Sequence, residues 1–188
     1  MERAQERLIL ASTSPQRRAI LTQLRIPFDV VAPQYDEEAG TGPLERAAGK
    51  AHSVTSDERP VLGVDTEVLF DGELLGKPAN ETEAEAMLES LSGRTHAVVS
   101  GLCLRTPAWE ELHAETTLVT FRELTPRELA HYVASREWEG RAGGYAIQAY
   151  GATLVERVEG DFLNVVGLPA ACLVRLLADR FAGTYGFG

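Results

Sequence analysis

Apolar and polar positions along this chain form short blocks that predict strands alternating with helices. In the first block, residues 8–11 are an apolar run, and the polar stretch 12–14 offers N-cap side chains before Pro15. Proline suits the first turn of a helix, because the N–H that it lacks has no partner there in any case. Ile20, Leu21 and Leu24 then recur at helical spacing. A strand followed by a helix is therefore predicted here.

A two-residue turn is predicted at Asp71-Gly72, because an apolar run lies on each side and this dipeptide is typical of hairpins. Thr82 with Glu85 has the spacing of a capping box and predicts the start of a helix that ends before Gly93. The same patterns predict helices over 43–54, 125–136 and near the C-terminus, and strands over 96–105 and 112–121. Together these elements predict an α/β fold, a mixed β-sheet with flanking helices.

The composition limits the classes of partner. The chain has 188 residues, enough for one domain or two small lobes, and its formal net charge of -10 argues against a nucleic-acid polymer as partner. Cys103 and Cys172 lie in apolar runs and are expected to be core thiols. The N-terminal stretch lacks an apolar signal segment, and no run reaches the roughly 18 apolar residues of a membrane span. We expect a cytoplasmic protein without a membrane segment.

Two adjacent arginines, Arg17 and Arg18, lie in the first turn of the first predicted helix, where the helix dipole already places partial positive charge. Each cation there costs about 0.3–1 kcal/mol at an exposed site. A bound anion would reverse that cost, since backbone amides and both guanidinium groups would contact it. Two interpretations stay open, namely an anion site and two solvated arginines on a surface helix.

Asp65 interrupts an apolar strand, where a carboxylate is costly unless it is paired, hydrogen-bonded or bound to a metal. The predicted hairpin brings Lys77 to within about one ladder position of Asp65, although the sequence does not fix the register. A catalytic or metal-binding carboxylate and a structural ion pair are both compatible with this pattern.

Three further residues are candidates for chemistry, each with a plainer alternative. Glu37 lies in an acidic loop, and such loops are usually solvated. Lys50 lies on the small-residue helix predicted over 43–54, where a lone lysine is usually exposed. Gln148 lies among apolar residues and glycines, and a hydrogen-bonded core amide is the alternative there.

Several common catalytic motifs do not occur in the sequence. The segment GELLGKP lacks the glycine spacing and the Ser or Thr of a phosphate-binding P-loop, and there is no GxGxxG fingerprint. The four histidines lack metal-ligand spacing. Ser12, Ser14 and Ser100 lack the GxSxG elbow of serine hydrolases.

Eight segments occur in an order that resembles one known family. They are LASTSPQRR (10–18), DEE (36–38), AAGKA (47–51), GVDTEV (63–68), GKP (76–78), LSGRTHAV (91–98), GGYAIQ (143–148) and NVVGLP (164–169). Each is weak evidence alone, but together they cover nearly the whole chain. On these segments the chain resembles the Maf family of nucleoside triphosphate pyrophosphatases, once described as septum-formation proteins.

The resemblance implies hydrolysis of a nucleoside triphosphate to a monophosphate and pyrophosphate, with a divalent metal, Mg²⁺ or Mn²⁺. It implies one domain over 1–188, two-lobed with a central cleft, similar to the inosine-triphosphate pyrophosphatases, and it is compatible with a homodimer. Asp65 matches the catalytic proton acceptor, and Glu37 and Asp65 match the metal-binding positions. Ser12, Arg17, Arg18, Lys50 and Lys77 match positions that contact the triphosphate, and Gln16, Thr66 and Gln148 match positions associated with substrate choice.

The residues associated with substrate choice resemble two different branches of the family. Gln16 stands where the branch acting on dTTP and UTP commonly has the first of two arginines, and the resulting pattern resembles the branch acting on 7-methyl-GTP. Thr66, Gln148 and the segment LSGRTH instead resemble the dTTP and UTP branch, which we favour, with modified pyrimidine nucleotides as further expected substrates. Ala149 follows Gln148 where glycine is usual, so an altered base pocket is expected.

Two functions of other kinds remain as alternatives to an enzyme that removes modified or unwanted nucleotides from the pool. One is a non-catalytic nucleotide-binding regulator of cell division. The other is a general phosphatase, which would release inorganic phosphate instead of pyrophosphate.

Overall fold

The computed structural model describes residues 7–36 and 40–188, and these residues form seven strands and six α-helices. The strands are β1 (Leu8–Ala11), β2 (Phe28–Val31), β3 (Val61–Phe70), β4 (Glu73–Leu75), β5 (Thr95–Arg105), β6 (Glu110–Phe121) and β7 (Val155–Glu159). The helices are α1 (Pro15–Gln23), α2 (Pro43–His52), α3 (Glu81–Leu91), α4 (Pro126–Ala134), α5 (Phe162–Val166) and α6 (Ala170–Phe181). Two short 3₁₀ segments span Ala142–Gly144 and Ala149–Leu154.

The seven strands join one mixed sheet in the order β2-β1-β3-β5-β6-β7, with β4 paired to β3. β1 runs parallel to β2 and β3, whereas the pairs β3–β4 and β6–β7 are antiparallel. This sheet and its helices confirm the predicted α/β class. The Asp71-Gly72 turn is also confirmed, since Phe70 pairs with Glu73 across two residues with φ of 51° and 83°.

The chain divides into two compact units. The first unit contains the described residues of Met1–Thr66 together with Ser100–Glu115 and Gly167–Gly188, and the second contains Glu67–Val99 and Thr116–Val166. A small apolar cluster in the first unit comprises Ile9, Ala11, Ala47, Ala51, Val54, Val61 and Cys103. A larger cluster in the second unit includes Leu88, Phe121, Tyr132, Trp138 and Tyr145.

The start of α1 agrees with its sequence signal, and the start of α3 does not. Ser14 is the N-cap of α1, and Pro15 occupies the first helical position as predicted. The predicted capping box of Thr82 with Glu85 is wrong. Asn80 caps α3 instead, because its side-chain oxygen accepts the N–H of Glu83 at 3.0 Å.

Helix α2 lies close to the sheet of the first unit because two strand positions are glycine. A Cβ at Gly63 would lie 2.1 Å from the carbonyl oxygen of Ala47, and a Cβ at Gly101 would lie 2.2 Å from that of Pro43. Any larger residue would push the helix away from β3 and β5. The close approach brings the polar residues of α2 within reach of β3.

Two expectations from composition can be compared with the structure. Within the described residues, no helix is long and apolar enough to cross a membrane. Cys103 and Cys172 are buried thiols, which confirms their predicted place in the core. Burial raises the pKa of the Cys103 thiol to about 12.

Candidate active site

Asp65 lies within β3 and is ion-paired to two cations from α2. The Lys50 ammonium donates to Asp65 Oδ1 at 2.6 Å, and Arg46 Nε donates to Asp65 Oδ2 at 2.8 Å. The Lys50 residue is only 5% exposed and Asp65 only 8%. An aspartate in this apolar strand is therefore tolerated because each of its oxygens accepts a charge-assisted hydrogen bond.

Neither cation partner of Asp65 follows directly from the sequence pattern. For Lys50, a candidate for chemistry in the sequence, the alternative of an exposed helical lysine is wrong, because α2 packs closely against β3. Arg46 was not among the candidates. Its spacing of four residues from Lys50 was the available signal, since residues at i and i+4 lie on the same helix face.

Arg17 belongs to a second polar cluster in the first unit. Its Nη1 donates to the Ser12 hydroxyl at 3.1 Å, its Nε to the carbonyl of Gly167 at 2.9 Å, and its Nη2 to the Thr66 hydroxyl at 3.4 Å. Thr66 also bonds the fully buried Ser100 hydroxyl at 2.8 Å. The alternative of a solvated surface arginine is therefore wrong for Arg17. Asp65 and Thr66 are neighbours in β3, so the two clusters are joined along one strand.

The neighbours of Arg17 in α1 have different environments. Arg18 is exposed and lines an open depression with Phe28 and Asp29. Gln16 is half-buried, and its side-chain oxygen accepts the hydroxyl of Ser14, the N-cap, at 3.1 Å. The two arginines that the sequence places together thus differ, since one is fixed in a network and the other faces solvent.

The remaining predicted residues lie elsewhere in the chain. Lys77 and Gln148 both belong to the second unit and both are exposed, so the core-amide alternative for Gln148 is wrong. Pairing in the hairpin ends at Val68 with Leu75, two residues before Lys77. The position of Lys77 relative to Asp65 stays a prediction. Glu37 lies outside the described residues.

His96 and Tyr145 form a buried polar pair in the second unit, and sequence analysis gave no role to either. His96 Nε2 lies 2.7 Å from the Tyr145 hydroxyl. Burial lowers the pKa of His96 to about 4 and raises the pKa of Tyr145 far above its usual value. Both rings are therefore neutral near pH 7, and they link the segments LSGRTH and GGYAIQ.

The described residues could bind a metal ion only together with a bound nucleotide that supplies further oxygen ligands. No group of three His, Cys, Asp or Glu side chains in 7–36 and 40–188 could hold an ion. Asp65 offers the hard oxygen atoms that Mg²⁺ and Mn²⁺ prefer, although both oxygens face cations. Mg²⁺ commonly uses one or two carboxylates together with phosphate oxygens. The chemistry of the donors thus fits a metal that binds together with a polyphosphate.

Comparison with known proteins identifies the family. The family model described as Maf-like protein matches residues 7–180, which is most of the chain. The chain belongs to the Maf family. The Maf assignment spans both units and includes Asp65 and Arg17 as well as Gln148.

Full-length relatives in three bacteria are similar to this Maf chain. A protein of Deinococcus radiodurans named dTTP/UTP pyrophosphatase is 44% identical over 97% of this chain and 96% of the relative. Proteins with the same name in Aquifex aeolicus and Bacillus cytotoxicus are each 42% identical over 95% of this chain. The aligned regions cover 99% and 97% of those two relatives, so the similarity extends over whole proteins.

Proposed function

We propose that this chain is a nucleoside triphosphate pyrophosphatase that hydrolyses dTTP and UTP between the α and β phosphates. Maf membership supports the reaction, and the names of the relatives support the substrates. The observation that carries the proposal is the pairing of buried Asp65 with Lys50 and Arg46. Triphosphate cleavage needs nearby cations, since negative charge builds on the leaving pyrophosphate, and Lys50 of α2 and Arg17 of α1 are cations from separate chain segments.

Asp65 is the proposed proton acceptor for the attacking water. A carboxylate has about four acceptor positions, and the bonds from Lys50 and Arg46 use two of them. The two cations fix the carboxylate, and one of the other acceptor positions suits a hydrogen of the attacking water. A fixed base within hydrogen-bond reach lowers the entropic cost of bringing water to the phosphate.

The proposed contacts to the triphosphate are Ser12, Arg17, Arg18, Lys50 and Lys77. Arg17 is already oriented by the Ser12 hydroxyl and the Gly167 carbonyl, so little side-chain freedom remains to be lost on binding. Arg18 is exposed beside it at the start of α1, where the helix dipole also favours an anion. The Lys50 ammonium is held in place by its bond to Asp65 Oδ1 at 2.6 Å.

The proposed cofactor is Mg²⁺ or Mn²⁺, held by Asp65 and Glu37 together with phosphate oxygens. When bound, such an ion would polarise the phosphate and would make the attacking water a better nucleophile. The chain's own contribution is the placement of the Asp65 carboxylate by Arg46 and Lys50.

Gln16, Thr66 and Gln148 are proposed to govern the choice of base. Gln16 favours 7-methyl-GTP as the second candidate substrate, because it replaces an arginine common in the dTTP and UTP branch. The names of the relatives and the identities of Thr66 and Gln148 favour dTTP and UTP. A homodimer and a cytoplasmic location stay predictions.

Product analysis on a panel of triphosphates tests the proposal. The chain is incubated with Mg²⁺ or Mn²⁺ and dTTP, UTP, CTP, GTP or 7-methyl-GTP, and products are followed by phosphorus NMR. We expect monophosphate and pyrophosphate, formed fastest from dTTP and UTP. Fastest turnover of 7-methyl-GTP would favour the second candidate. Nucleotide binding without any turnover would favour a regulatory protein.

A further inference from the structure

Gln148 lies in the stretch 145–151 of the second unit, which ends within the 3₁₀ segment Ala149–Leu154 and which we call the Gln148 loop. The loop is held on both sides of Gln148. Before it, the N–H of Ala146 donates to the Tyr132 hydroxyl at 3.0 Å. After it, the N–H groups of Tyr150 and Gly151 donate to the two carboxylate oxygens of Glu137, at 3.2 and 3.0 Å.

The backbone of the Gln148 loop is strained at one residue. Ala149, directly after Gln148, has φ of +53°, in the left-handed region that residues other than glycine rarely adopt. Alanine has no polar side chain that could stabilise this conformation locally. A strained backbone of this kind persists only where surrounding contacts hold it. The backbone bonds that Tyr132 and Glu137 accept lie on either side of Ala149 and supply those contacts.

The ends of the Gln148 loop approach each other closely. A Cβ at Gly151 would lie 1.8 Å from the carbonyl oxygen of Ala146, so only glycine fits there. The loop is therefore closed at its base by Ala146 and Gly151, and the exposed Gln148 lies at its tip. If the Glu137 bonds were lost, Ala149 could return to an ordinary backbone conformation, and Gln148 would move with it.

We propose that Glu137 is a positioning residue for base selection, because its carboxylate holds the strained Gln148 loop and so fixes the place of the Gln148 side chain. This inference rests on the proposed function, in which Gln148 contributes to the choice of base. Tyr132 is the second anchor. Burial raises the pKa of Tyr132 to about 12, so its hydroxyl is neutral near pH 7 and can accept the Ala146 N–H.

Two substitutions separate a positioning role from a structural one. Glu137→Gln keeps the shape of the side chain but replaces one acceptor oxygen with an amide nitrogen, so one of the two backbone bonds is lost. Ala149→Gly removes the strain, because glycine adopts positive φ without steric cost. Glu139→Gln is the matched control, since Glu139 is an exposed glutamate two residues away that pairs with Arg136.

The measurement is kcat/KM for dTTP and for CTP, with the whole chain and Mg²⁺. Glu137→Gln should lower the preference for dTTP over CTP by about tenfold, the scale of one hydrogen bond to a charged acceptor. In the double variant with Ala149→Gly, the preference should return to within about threefold of the unsubstituted chain, because the loop no longer needs an external clamp. Glu139→Gln should leave the preference unchanged.

Several results would overturn the inference. An unchanged preference in Glu137→Gln would make Glu137 a purely structural residue, whatever its effect on melting temperature. An equal loss with and without Ala149→Gly would refute the strained loop as the cause. If the unsubstituted chain hydrolyses no triphosphate, the proposed function fails and the selectivity role fails with it. In that case, amide hydrogen exchange at 146–151 tests whether Glu137 holds the loop. Faster exchange in Glu137→Gln than in the unsubstituted chain would support this role, and equal exchange rates would refute it.

Discussion

Replacing Lys50 with methionine removes one of the two cations on Asp65 and nearly preserves the volume of the side chain. Breaking a buried ion pair costs about 3–5 kcal/mol when the remaining charge is left alone. Here Arg46 still donates to Asp65 at 2.8 Å, so we expect a smaller loss of about 2–3 kcal/mol. For a chain of this size the loss corresponds to a decrease of roughly 4–12 °C in Tm.

The opposite substitution, Asp65→Asn, should cost more. It removes the carboxylate that accepts charge-assisted bonds from both Lys50, a residue 5% exposed, and Arg46, and we expect a loss of about 3–5 kcal/mol. The double variant Lys50→Met/Asp65→Asn removes both charges. Its loss should therefore be smaller than the sum of the single losses by about 2–3 kcal/mol.

The assay is urea denaturation of the four proteins without nucleotide, followed by circular dichroism. Lys77→Met is the matched control, because Lys77 is exposed, and it should change the free energy of unfolding by less than about 0.5 kcal/mol. If the losses for Lys50→Met and Asp65→Asn instead add to within about 0.5 kcal/mol, the two residues are not coupled, and the ion pair does not contribute as expected.

Three further predictions follow from the site and its surroundings. Arg17→Ala should raise KM for dTTP and CTP alike, by about ten- to a hundredfold, because phosphate contacts carry no base information; a loss for one base alone would contradict that role. His96 has its pKa lowered by burial to about 4, below the unfolded value of 6.5, so stability should fall by roughly 2 kcal/mol from pH 7 to pH 5. In His96→Phe, the free energy of unfolding from urea titrations should fall less between pH 7 and pH 5, by that amount. An unchanged pH dependence would refute the role of His96. Calorimetry should detect Mg²⁺ binding only in the presence of a hydrolysis-resistant nucleotide, and tight binding without nucleotide would contradict the account.

Elements with strong local signals could be predicted from the sequence. Asp71-Gly72 adopts the positive φ values that a two-residue hairpin requires, and Thr125 forms its capping box with Glu128. The start of α3 could not be chosen in the same way. Asn80 and Thr82 each precede a glutamate by three residues, so both fit the pattern. The structure uses Asn80, whose side chain accepts the N–H of Glu83.

The candidate site was only partly predictable, because its contacts join distant segments. Arg17 donates to Gly167, which is 150 positions away, and Thr66 bonds Ser100 across 34 positions. The sequence pattern identified Asp65 as a carboxylate that needs a partner. It did not identify Lys50 and Arg46 as those partners, because their proximity depends on how closely α2 packs against β3.

Asp65 is proposed as the base of a reaction that releases pyrophosphate. The most direct test is the yield of dTMP, pyrophosphate and inorganic phosphate from dTTP, with the unsubstituted chain and with Asp65→Asn. Both are assayed at a temperature where circular dichroism shows Asp65→Asn to be folded. We expect dTMP and pyrophosphate in equal amounts, and a loss of turnover in Asp65→Asn with nucleotide still bound. Release of inorganic phosphate as the main product, or undiminished turnover by Asp65→Asn, would contradict it.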